Sequence, residues 1–288
     1  MKTKWIKRSL IFLLILTFAL FTTPAIAQTY AFQVDREIVD VYWENDGTVS
    51  LAYEFGFVNE TYADPIDYID VGMPTGSFNP SNASAAVNGK PISHIAYSPY
   101  VENGIELGLG ANAIQPGDAG TVTFQISGVG DMLYQDSKDD NYASAVFSPT
   151  WFDSELVSGP TDLTVIYHFP PDLSPDEPRW HQAPSGFPSE PATGFDSNGR
   201  ITYTWRNTNA SADTQYLFGS SFPKSYVPAS AVATPTFWQS IGVNPETLFG
   251  WACICGIGLF FIAVPALSIR GAQKRKMKYL PPKLAIEG

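Results

Sequence analysis

Two acidic segments contain residue types that could bind a divalent cation. In QDSKDDNY, Asp136, Asp139 and Asp140 could supply several oxygen ligands, and in ADPIDYIDVG three aspartates recur every three residues. Calcium takes six to eight hard oxygen ligands, which acidic loops provide. Neither segment has the spacing of an EF-hand loop, and Lys138 lies inside the first. Two interpretations stay open, a calcium site at Asp136, Asp139 and Asp140 and a solvated acidic turn, and the sequence favours the turn.

Tryptophans form the second group of candidate binding residues. Trp151, Trp180 and Trp205 occur in SPTWFD, RWHQ and TYTW, where aromatic rings could bind a sugar or a partner protein. Trp205 alternates with polar neighbours, so we expect it in the core of a strand. Trp180 lies in a polar, proline-rich segment, where a core position is less expected. We therefore select Trp180 as a binding residue.

Catalytic motifs are sparse in this sequence. The three histidines, His94, His168 and His181, form neither an HExxH nor a His-x-His pattern. No nucleophile elbow, phosphate-binding loop or dinucleotide fingerprint is present, and GSSFP lacks the second glycine of an elbow. Triads and carboxylate pairs can also be assembled from distant positions. We expect no catalytic residues, a protein that is not an enzyme, and no cofactor apart from the candidate calcium ion.

Residues 1–27 have the features of a cleavable signal peptide. Four cations precede the apolar run SLIFLLILTFALF, which is short for a bilayer span. Ala25 and Ala27 give the small-x-small pattern that signal peptidase cuts. Gln28 is therefore the expected first residue of the mature chain.

Residues 247–269 predict a single transmembrane helix. These twenty-three residues carry no charge, and at about 1.5 Å per residue a helix of this length crosses a hydrocarbon core of about 30 Å. Arg270, Lys274, Arg275 and Lys276 follow directly, and positive charge next to a span marks its cytoplasmic end. We expect a single-pass type I protein of the cell membrane, with residues 270–288 as a basic cytoplasmic tail.

Charge and cysteine content support this placement. Residues 28–246 contain seven Lys or Arg against twenty-seven Asp or Glu, a net charge of −20, although the whole chain has only −11. Such a surface repels nucleic acid and favours cationic partners or metal ions. Both cysteines, Cys253 and Cys255, lie in the predicted span, so residues 28–246 cannot form a disulfide. Ala252 and Gly256 form a small-xxx-small pair that would permit a helix-mediated dimer.

The extracellular part predicts a mainly β fold of one or two antiparallel β-sandwich units. REIVDVYWENDGTVSLAYEFGFVN alternates in polarity on both sides of Asn45-Asp46-Gly47, as two strands and a hairpin turn do. Twenty-three prolines oppose long helices. We place the first unit at 28–134 and the second at 135–227, with a proline-rich loop at 169–199 and a juxtamembrane stalk at 228–246.

Several segments resemble the DUF2207-type prokaryotic membrane proteins. VDVYWENDGTVSLAYEFGF is similar to their first hairpin, and YLPPKLAIEG is similar to the segment that follows their membrane span. The phrases VGMP, FSPTWFD, FPPDLSP and GSSFPKSYV resemble their strands and turns. The resemblance implies a signal peptide, an extracellular β domain and a membrane span. It implies no activity, and this chain departs from the family by its single C-terminal span and its tail of nineteen residues.

Taken together, the sequence predicts a non-enzymatic interaction or scaffold module on the cell membrane, whose partner is an envelope protein or a glycan. One alternative is a surface protein that binds or cleaves carbohydrate through Trp180 and nearby carboxylates. A second alternative is a membrane-coupled sensor, which would need a cytosolic partner because the predicted tail is too short to form an output domain.

Overall fold

The computed structural model describes residues 29–234, which are mainly β with several antiparallel sheets. The prediction of a mainly β fold is therefore confirmed. The predicted signal peptide, membrane helix and basic tail lie outside the described residues, as do Ala25, Ala27, Arg270, Lys274, Arg275 and Lys276 and most of the predicted stalk. Within residues 29–234, no helix is long and apolar enough to cross a membrane.

Sixteen strands lie in the described residues: β1 (Phe32–Trp43), β2 (Val49–Asn59), β3 (Tyr68–Gly72), β4 (Ala83–Val87), β5 (Lys90–Pro91), β6 (His94–Tyr97), β7 (Gly104–Gly108), β8 (Ala119–Val129), β9 (Leu133–Gln135), β10 (Tyr142–Phe147), β11 (Thr161–His168), β12 (Arg179–Trp180), β13 (Ala192–Phe195), β14 (Ile201–Ala210), β15 (Phe218–Pro223) and β16 (Val232–Ala233). Short 3-10 helices occupy Pro80–Asn82, Gly110–Asn112, Lys224–Tyr226 and Ala229–Ala231.

The first hairpin follows the polarity of the sequence. Val39, Val41 and Trp43 are buried, whereas the residues between them are half-buried, because successive side chains of a strand point to opposite faces. Gly47 in the turn between β1 and β2 has a φ of +83°, a conformation that glycine adopts without steric cost. The Asp46 side chain accepts a 2.9 Å hydrogen bond from the Thr48 amide. The predicted strand, turn and strand are confirmed.

Eight strands form the largest sheet, in the order β13-β14-β11-β1-β2-β8-β4-β5. Its central strands β1 and β11 are parallel, and its other six pairings are antiparallel. A five-stranded sheet has the order β12-β15-β10-β9-β16, and a three-stranded sheet has the order β3-β7-β6.

The largest sheet is built across residue 135, where the sequence predicts the boundary between two sandwich units. β1, β2 and β8 come from the predicted first unit and β11 and β14 from the second, yet all five are hydrogen-bonded neighbours. The described residues 29–232 belong to one compact unit. The predicted boundary at residue 135 therefore falls between strands that share one sheet, and the choice between one and two sandwich units stays a prediction.

Aromatic side chains fill the space between the eight-stranded and five-stranded sheets. The Trp43 ring lies 6.3 Å from Phe222, and the Trp205 ring lies 5.4 Å from Phe218, measured between ring centroids. The Tyr167 hydroxyl donates a 2.8 Å hydrogen bond to the Phe218 carbonyl. All five side chains are essentially buried, so these two sheets share one core.

Farther along the same face of the large sheet, β2 supplies a second aromatic group. Phe55 and Phe57 lie 6.3 and 5.8 Å from Phe152, which belongs to the connection between β10 and β11. Ile69 and Val71 of β3 are buried in the same core. This contact brings the β10–β11 connection and the three-stranded sheet to the beginning of β1, where an aromatic-lined cleft lies.

Candidate functional site

The side chain of Asp136 is held by donors of its own turn and of β15. One carboxylate oxygen accepts hydrogen bonds from the backbone amides of Lys138 (2.7 Å) and Asp139 (3.1 Å). The other accepts a 2.6 Å hydrogen bond from the Ser221 hydroxyl. Burial raises the pKa of Asp136, but these hydrogen bonds outweigh burial and hold that pKa below its ordinary value. The carboxylate is therefore charged and already coordinated by protein donors.

The two other predicted calcium ligands also have protein partners. Asp139 forms a 3.0 Å ion pair with Arg179, and the Asp140 carboxylate accepts a 2.7 Å hydrogen bond from the Gln135 side chain. No three or more His, Cys, Asp or Glu side chains of the described residues are grouped so that they could hold a metal ion. These contacts describe a hydrogen-bonded acidic turn, and the calcium site stays a prediction.

Trp180 lies apart from this acidic turn. Its strand β12 pairs with β15, and its neighbour Arg179, not Trp180, reaches Asp139. The Trp180 ring packs edge-on against Tyr203, 5.7 Å away, and is 40% exposed. It lines a shallow cleft of about 290 Å³, which also contains the exposed ring of Phe195. Among the residues selected from the sequence, the structure thus places Trp180 in one site and the three aspartates in another.

A larger aromatic site, which we call the aromatic cleft, lies beside the start of β1 and has a volume of about 350 Å³. Six aromatic side chains from four segments of the chain line it: Tyr30, Phe32, Tyr68, Tyr100, Trp151 and Phe152. Tyr100 and Trp151 form its rim, with 75% and 47% of their surfaces exposed. Large aromatic rings that lie together at the protein surface often mark a binding site.

Backbone contacts hold the floor of the aromatic cleft. The Phe32 amide donates a 2.9 Å hydrogen bond to the Leu156 carbonyl, and the Phe152 amide donates one of 2.9 Å to the Ala212 carbonyl. The rings of Phe32 and Phe152 meet edge to face at 5.6 Å. The floor is therefore fixed by the fold before any ligand arrives.

Three tyrosines form one wall. The rings of Tyr30 and Tyr68 are nearly perpendicular, with centroids 5.4 Å apart, and the rings of Tyr68 and Tyr100 are stacked at 6.0 Å. The Tyr30 hydroxyl donates a 2.6 Å hydrogen bond to Asp67. Burial first, and then this contact with Asp67, raises the pKa of Tyr30 far above its ordinary value, so the phenol stays neutral.

Asp70 of β3 supplies a carboxylate to the aromatic cleft. Its Oδ1 is buried and has no hydrogen-bond partner. Burial is the main cause that raises the pKa of Asp70; the negative charge of Glu106 adds to it, and a hydrogen bond with Ser98 opposes it. No Lys, Arg or His side chain is among the described residues that line the cleft. The site therefore combines aromatic faces with negative charge.

His181 and Ser221 are in hydrogen-bond contact, as the base and nucleophile of a serine hydrolase are. His181 Nε2 lies 2.8 Å from the Ser221 oxygen, and the Ser221 hydroxyl donates to Asp136. A catalytic triad places histidine between serine and aspartate, whereas here the serine lies between the other two. Ser221 is also only 2% exposed. Burial lowers the pKa of His181 and outweighs the effect of Asp136. This arrangement is a hydrogen-bond network that joins β12 and β15.

His168 forms a similar network on the outer face of the large sheet. Its Nε2 lies 2.7 Å from an Asp40 oxygen, its Nδ1 lies 3.0 Å from an Asp196 oxygen, and its ring stacks on Tyr42. Burial alone would raise the pKa of Asp196, but hydrogen bonds from the Arg200 amide and from His168 lower it. These contacts tie β1 and β11 to the β13–β14 turn.

Sequence reasoning named Trp151 as an aromatic candidate and missed the tyrosines that surround it. Tyr30, Tyr68 and Tyr100 are far apart in the chain and meet only because β1, β3 and the β6–β7 loop come together. Tyr100 and Trp151 share one local signal in the sequence. Each is an aromatic residue within a turn-like segment, SPYVENG for Tyr100 and SPTWFD for Trp151. The predicted burial of Trp205 is confirmed, since its side chain has no exposed surface.

No family model matches the chain, and no curated protein matches it. Among solved structures it is similar to an M1 zinc metallopeptidase from Deinococcus radiodurans, with 13% identity, a TM-score of 0.41, and coverage of 68% of this chain and 43% of that one. A two-domain M1 zinc metallopeptidase mutant bound to L-arginine gives 12% identity and a TM-score of 0.41, with 68% and 44% covered. The chain thus spans less than half the length of these peptidases.

Proposed function

We propose that the protein is a non-enzymatic binding module of the cell surface: a β-sandwich carried by the transmembrane segment 247–269, whose ligand occupies the aromatic cleft. The observation that carries this proposal is the convergence of six aromatic side chains from four chain segments around about 350 Å³. Ligand sites are concave and mostly apolar, with a few polar groups that orient the ligand. The aromatic cleft has this composition, with the carboxylates of Asp70 and Asp153 as its charged groups.

Exposure of the rim supports binding over a purely structural role. Tyr100 and Trp151 have far more surface in water than core residues such as Trp205. Stacking against a ligand would remove apolar surface from water at about 25 cal/mol per Å². Tyr and Trp suit such contacts because they provide large area and lose little conformational freedom.

The test is a binding measurement on the full chain in detergent micelles. Fractions of the native envelope, separated into proteins, glycans and small molecules, are titrated against the wild type and Trp151→Ala. Trp180→Ala is the matched control, since it removes a similarly exposed tryptophan outside the aromatic cleft. We expect one fraction to bind the wild type and the control and to bind Trp151→Ala at least tenfold more weakly. If no fraction distinguishes Trp151→Ala from the control, the proposal is wrong.

Placement in the membrane is tested separately. Protease added to intact cells should remove the β domain and leave a tag after Gly288 protected. The type I orientation rests on Arg270 and the lysines that follow it. Digestion of the tag in intact cells would contradict this orientation.

A second candidate function is carbohydrate binding in the cleft of Trp180. The observation that favours it is the pairing of two exposed rings, Trp180 at 40% and Phe195 at 65%, beside Asp176. A flat ring and a nearby carboxylate suit the apolar face and the hydroxyls of a sugar. Glycan-array binding that disappears in Trp180→Ala and persists in Trp151→Ala would support this function, and the reverse pattern would assign the glycan to the aromatic cleft.

A further inference from the structure

The aromatic cleft has properties that select one chemical class of ligand, and this step rests on the binding function proposed above. Its tyrosine wall contains two rings at nearly a right angle, Tyr30 and Tyr68, with Tyr100 stacked beyond them. Burial raises the pKa of both Tyr30 and Tyr68, so their rings stay neutral phenols with electron-rich faces. A cation held over such faces gains about 0.5 to 2 kcal/mol, depending on how far it is desolvated.

The charged side chains that line the aromatic cleft, Asp70 and Asp153, are both acidic, and the nearby Glu106 is paired with His94 at 2.7 Å. Asp70 lines it with a buried, unpartnered oxygen, Glu106 and Asp67 lie close enough to affect neighbouring titrations, and no described lining residue is basic. Burial makes the Asp70 charge unfavourable in the empty cleft. A cation placed there would remove that penalty, whereas a neutral ligand would leave it and an anion would increase it.

The hydrogen-bond acceptors that the lining offers decide which class of cation fits the aromatic cleft. A primary ammonium is strongly hydrated and needs several acceptors to replace its water. The Tyr30 hydroxyl already donates to Asp67, and most of the lining is aromatic or aliphatic. An ammonium whose hydrogens are replaced by methyl groups is weakly hydrated and presents apolar surface to the rings.

We infer that the aromatic cleft binds an alkylated ammonium group, with methyl groups against Tyr30, Tyr68 and Tyr100 and positive charge facing Asp70. The same chemistry is available from a free small molecule and from a choline lipid head group, and the experiment separates these sources.

The test compares choline with its neutral isostere 3,3-dimethylbutan-1-ol, by calorimetry on the full chain in a detergent without choline or sugar groups. We expect choline to bind about tenfold more tightly than the isostere, and Asp70→Asn to remove that difference. Asp176→Asn is the matched control, because it neutralises a carboxylate that lines the other cleft. Tyr100→Leu gives a second, independent variant: Tyr100 is 75% exposed, so its loss should weaken choline binding several-fold without unfolding the protein.

A second arm presents the head group on phosphatidylcholine nanodiscs, with phosphatidylglycerol nanodiscs as control. If the protein binds the phosphatidylcholine nanodiscs and free choline displaces them, the ligand is the lipid head group. If the protein binds free choline but not the nanodiscs, the ligand is a small molecule. Equal affinity for choline and its isostere overturns the inference and leaves the binding function intact. If neither compound binds, the inference is overturned. The proposed binding function fails as well only if no envelope fraction distinguishes Trp151→Ala from the control Trp180→Ala.

Discussion

Glu37 is the most unusual single residue of the core. It lies on β1 with only 1% of its surface exposed, and its Oε1 has no hydrogen-bond partner among the described residues. Burial alone raises its pKa well above the ordinary value of 4.5. The folded protein therefore holds this side chain as a neutral acid in conditions where the unfolded chain would ionise it.

This burial predicts a loss of stability as pH rises. Below pH 4.5 Glu37 is protonated in both the folded and the unfolded state. Between pH 4.5 and the raised pKa of the folded state, only the unfolded state releases the proton. In that range the wild type loses about 1.4 kcal/mol of unfolding free energy per pH unit. Glu37→Gln should remove this slope, so urea unfolding of the full chain should find the variant more stable at pH 7 and not at pH 4. Glu190→Gln, at an exposed position, is the control, and equal slopes for Glu37→Gln and wild type would contradict the prediction.

His181 predicts a slope of the opposite sign. Because burial lowers its pKa despite the nearby Asp136, and Lys138 lowers it further, the unfolded chain binds a proton near pH 6.5 that the folded protein resists. Its contribution to stability is full above pH 6.5 and is lost as pH falls toward the lower folded pKa. Asp136 itself titrates below its ordinary value of 3.8, outside this window.

The measurement is thermal unfolding between pH 7.5 and 5. His181→Gln keeps an N–H donor for Ser221 and should flatten the decline of the unfolding temperature on acidification. His94→Gln is the comparison, because it removes a histidine whose side chain is 60% exposed and contacts Glu106 instead of the Ser221 network. A steeper decline in His181→Gln than in the wild type would reverse the assignment.

Among the structural elements, the β1–β2 turn is constrained in both its backbone conformation and its surroundings. Gly47 has a φ of +83°, and a Cβ added there would lie 2.2 Å from the Ala231 Cβ. Gly199, in the β13–β14 turn, has a similar φ of +80° with no atom within 4 Å of an added Cβ. The two glycines therefore separate the effect of backbone conformation from the effect of a steric clash.

Substituting each glycine by alanine measures the two effects. Gly199→Ala should lose about 1 to 2 kcal/mol of unfolding free energy for the left-handed conformation alone. Gly47→Ala should lose about 1 to 3 kcal/mol more, because Ala231 must move. Chemical denaturation of both variants gives the difference, and equal losses would mean that the segment at Ala231 moves away freely.

Local patterns predicted β1, the turn at Gly47 and β2, because alternation and turn residues act within a few positions. Pairing of β1 with β11 was not predictable in the same way, since Arg36 and Asp162 are register neighbours across more than a hundred residues. The proline-rich loop 169–199 contains β12 and β13, which are too short to give a periodic signal. The aromatic cleft had no motif, because its residues share only a place in the fold.

At the scale of the whole molecule, negative charge dominates. Residues 29–234 contain seven basic and twenty-six acidic residues, a net charge of −19. Every arginine among them forms an ion pair with a carboxylate: Arg36 with Glu54, Arg179 with Asp139, Arg200 with Glu44, and Arg206 with Asp162. The remaining acidic residues outnumber the three lysines, so repulsion between like charges opposes the compact state.

Salt should therefore stabilise the fold. Exposed ion pairs each contribute at most about 1 kcal/mol, and at 0.15 M ionic strength screening acts beyond about 8 Å. We expect the unfolding temperature to rise by a few degrees between low and physiological NaCl. A fall in the unfolding temperature would show that the arginine pairs outweigh the repulsion.

The same assay decides the predicted calcium site at Asp136, Asp139 and Asp140. If calcium binds there, CaCl₂ should stabilise the wild type more than NaCl and MgCl₂ at equal ionic strength, and Asp140→Asn should remove the excess. Identical curves for the three salts would leave only screening and would contradict the calcium site.

The parallel pairing of β1 with β11 also has a consequence for how the chain folds. β1 is synthesised well before β11, yet one of its two edges is completed only by residues 161–168. Until then β1 exposes unpaired backbone groups along that edge, which slows folding and favours pairing with other chains. Chains that end before residue 161 should therefore aggregate, and the order of synthesis makes β11 the strand that completes the second edge of β1.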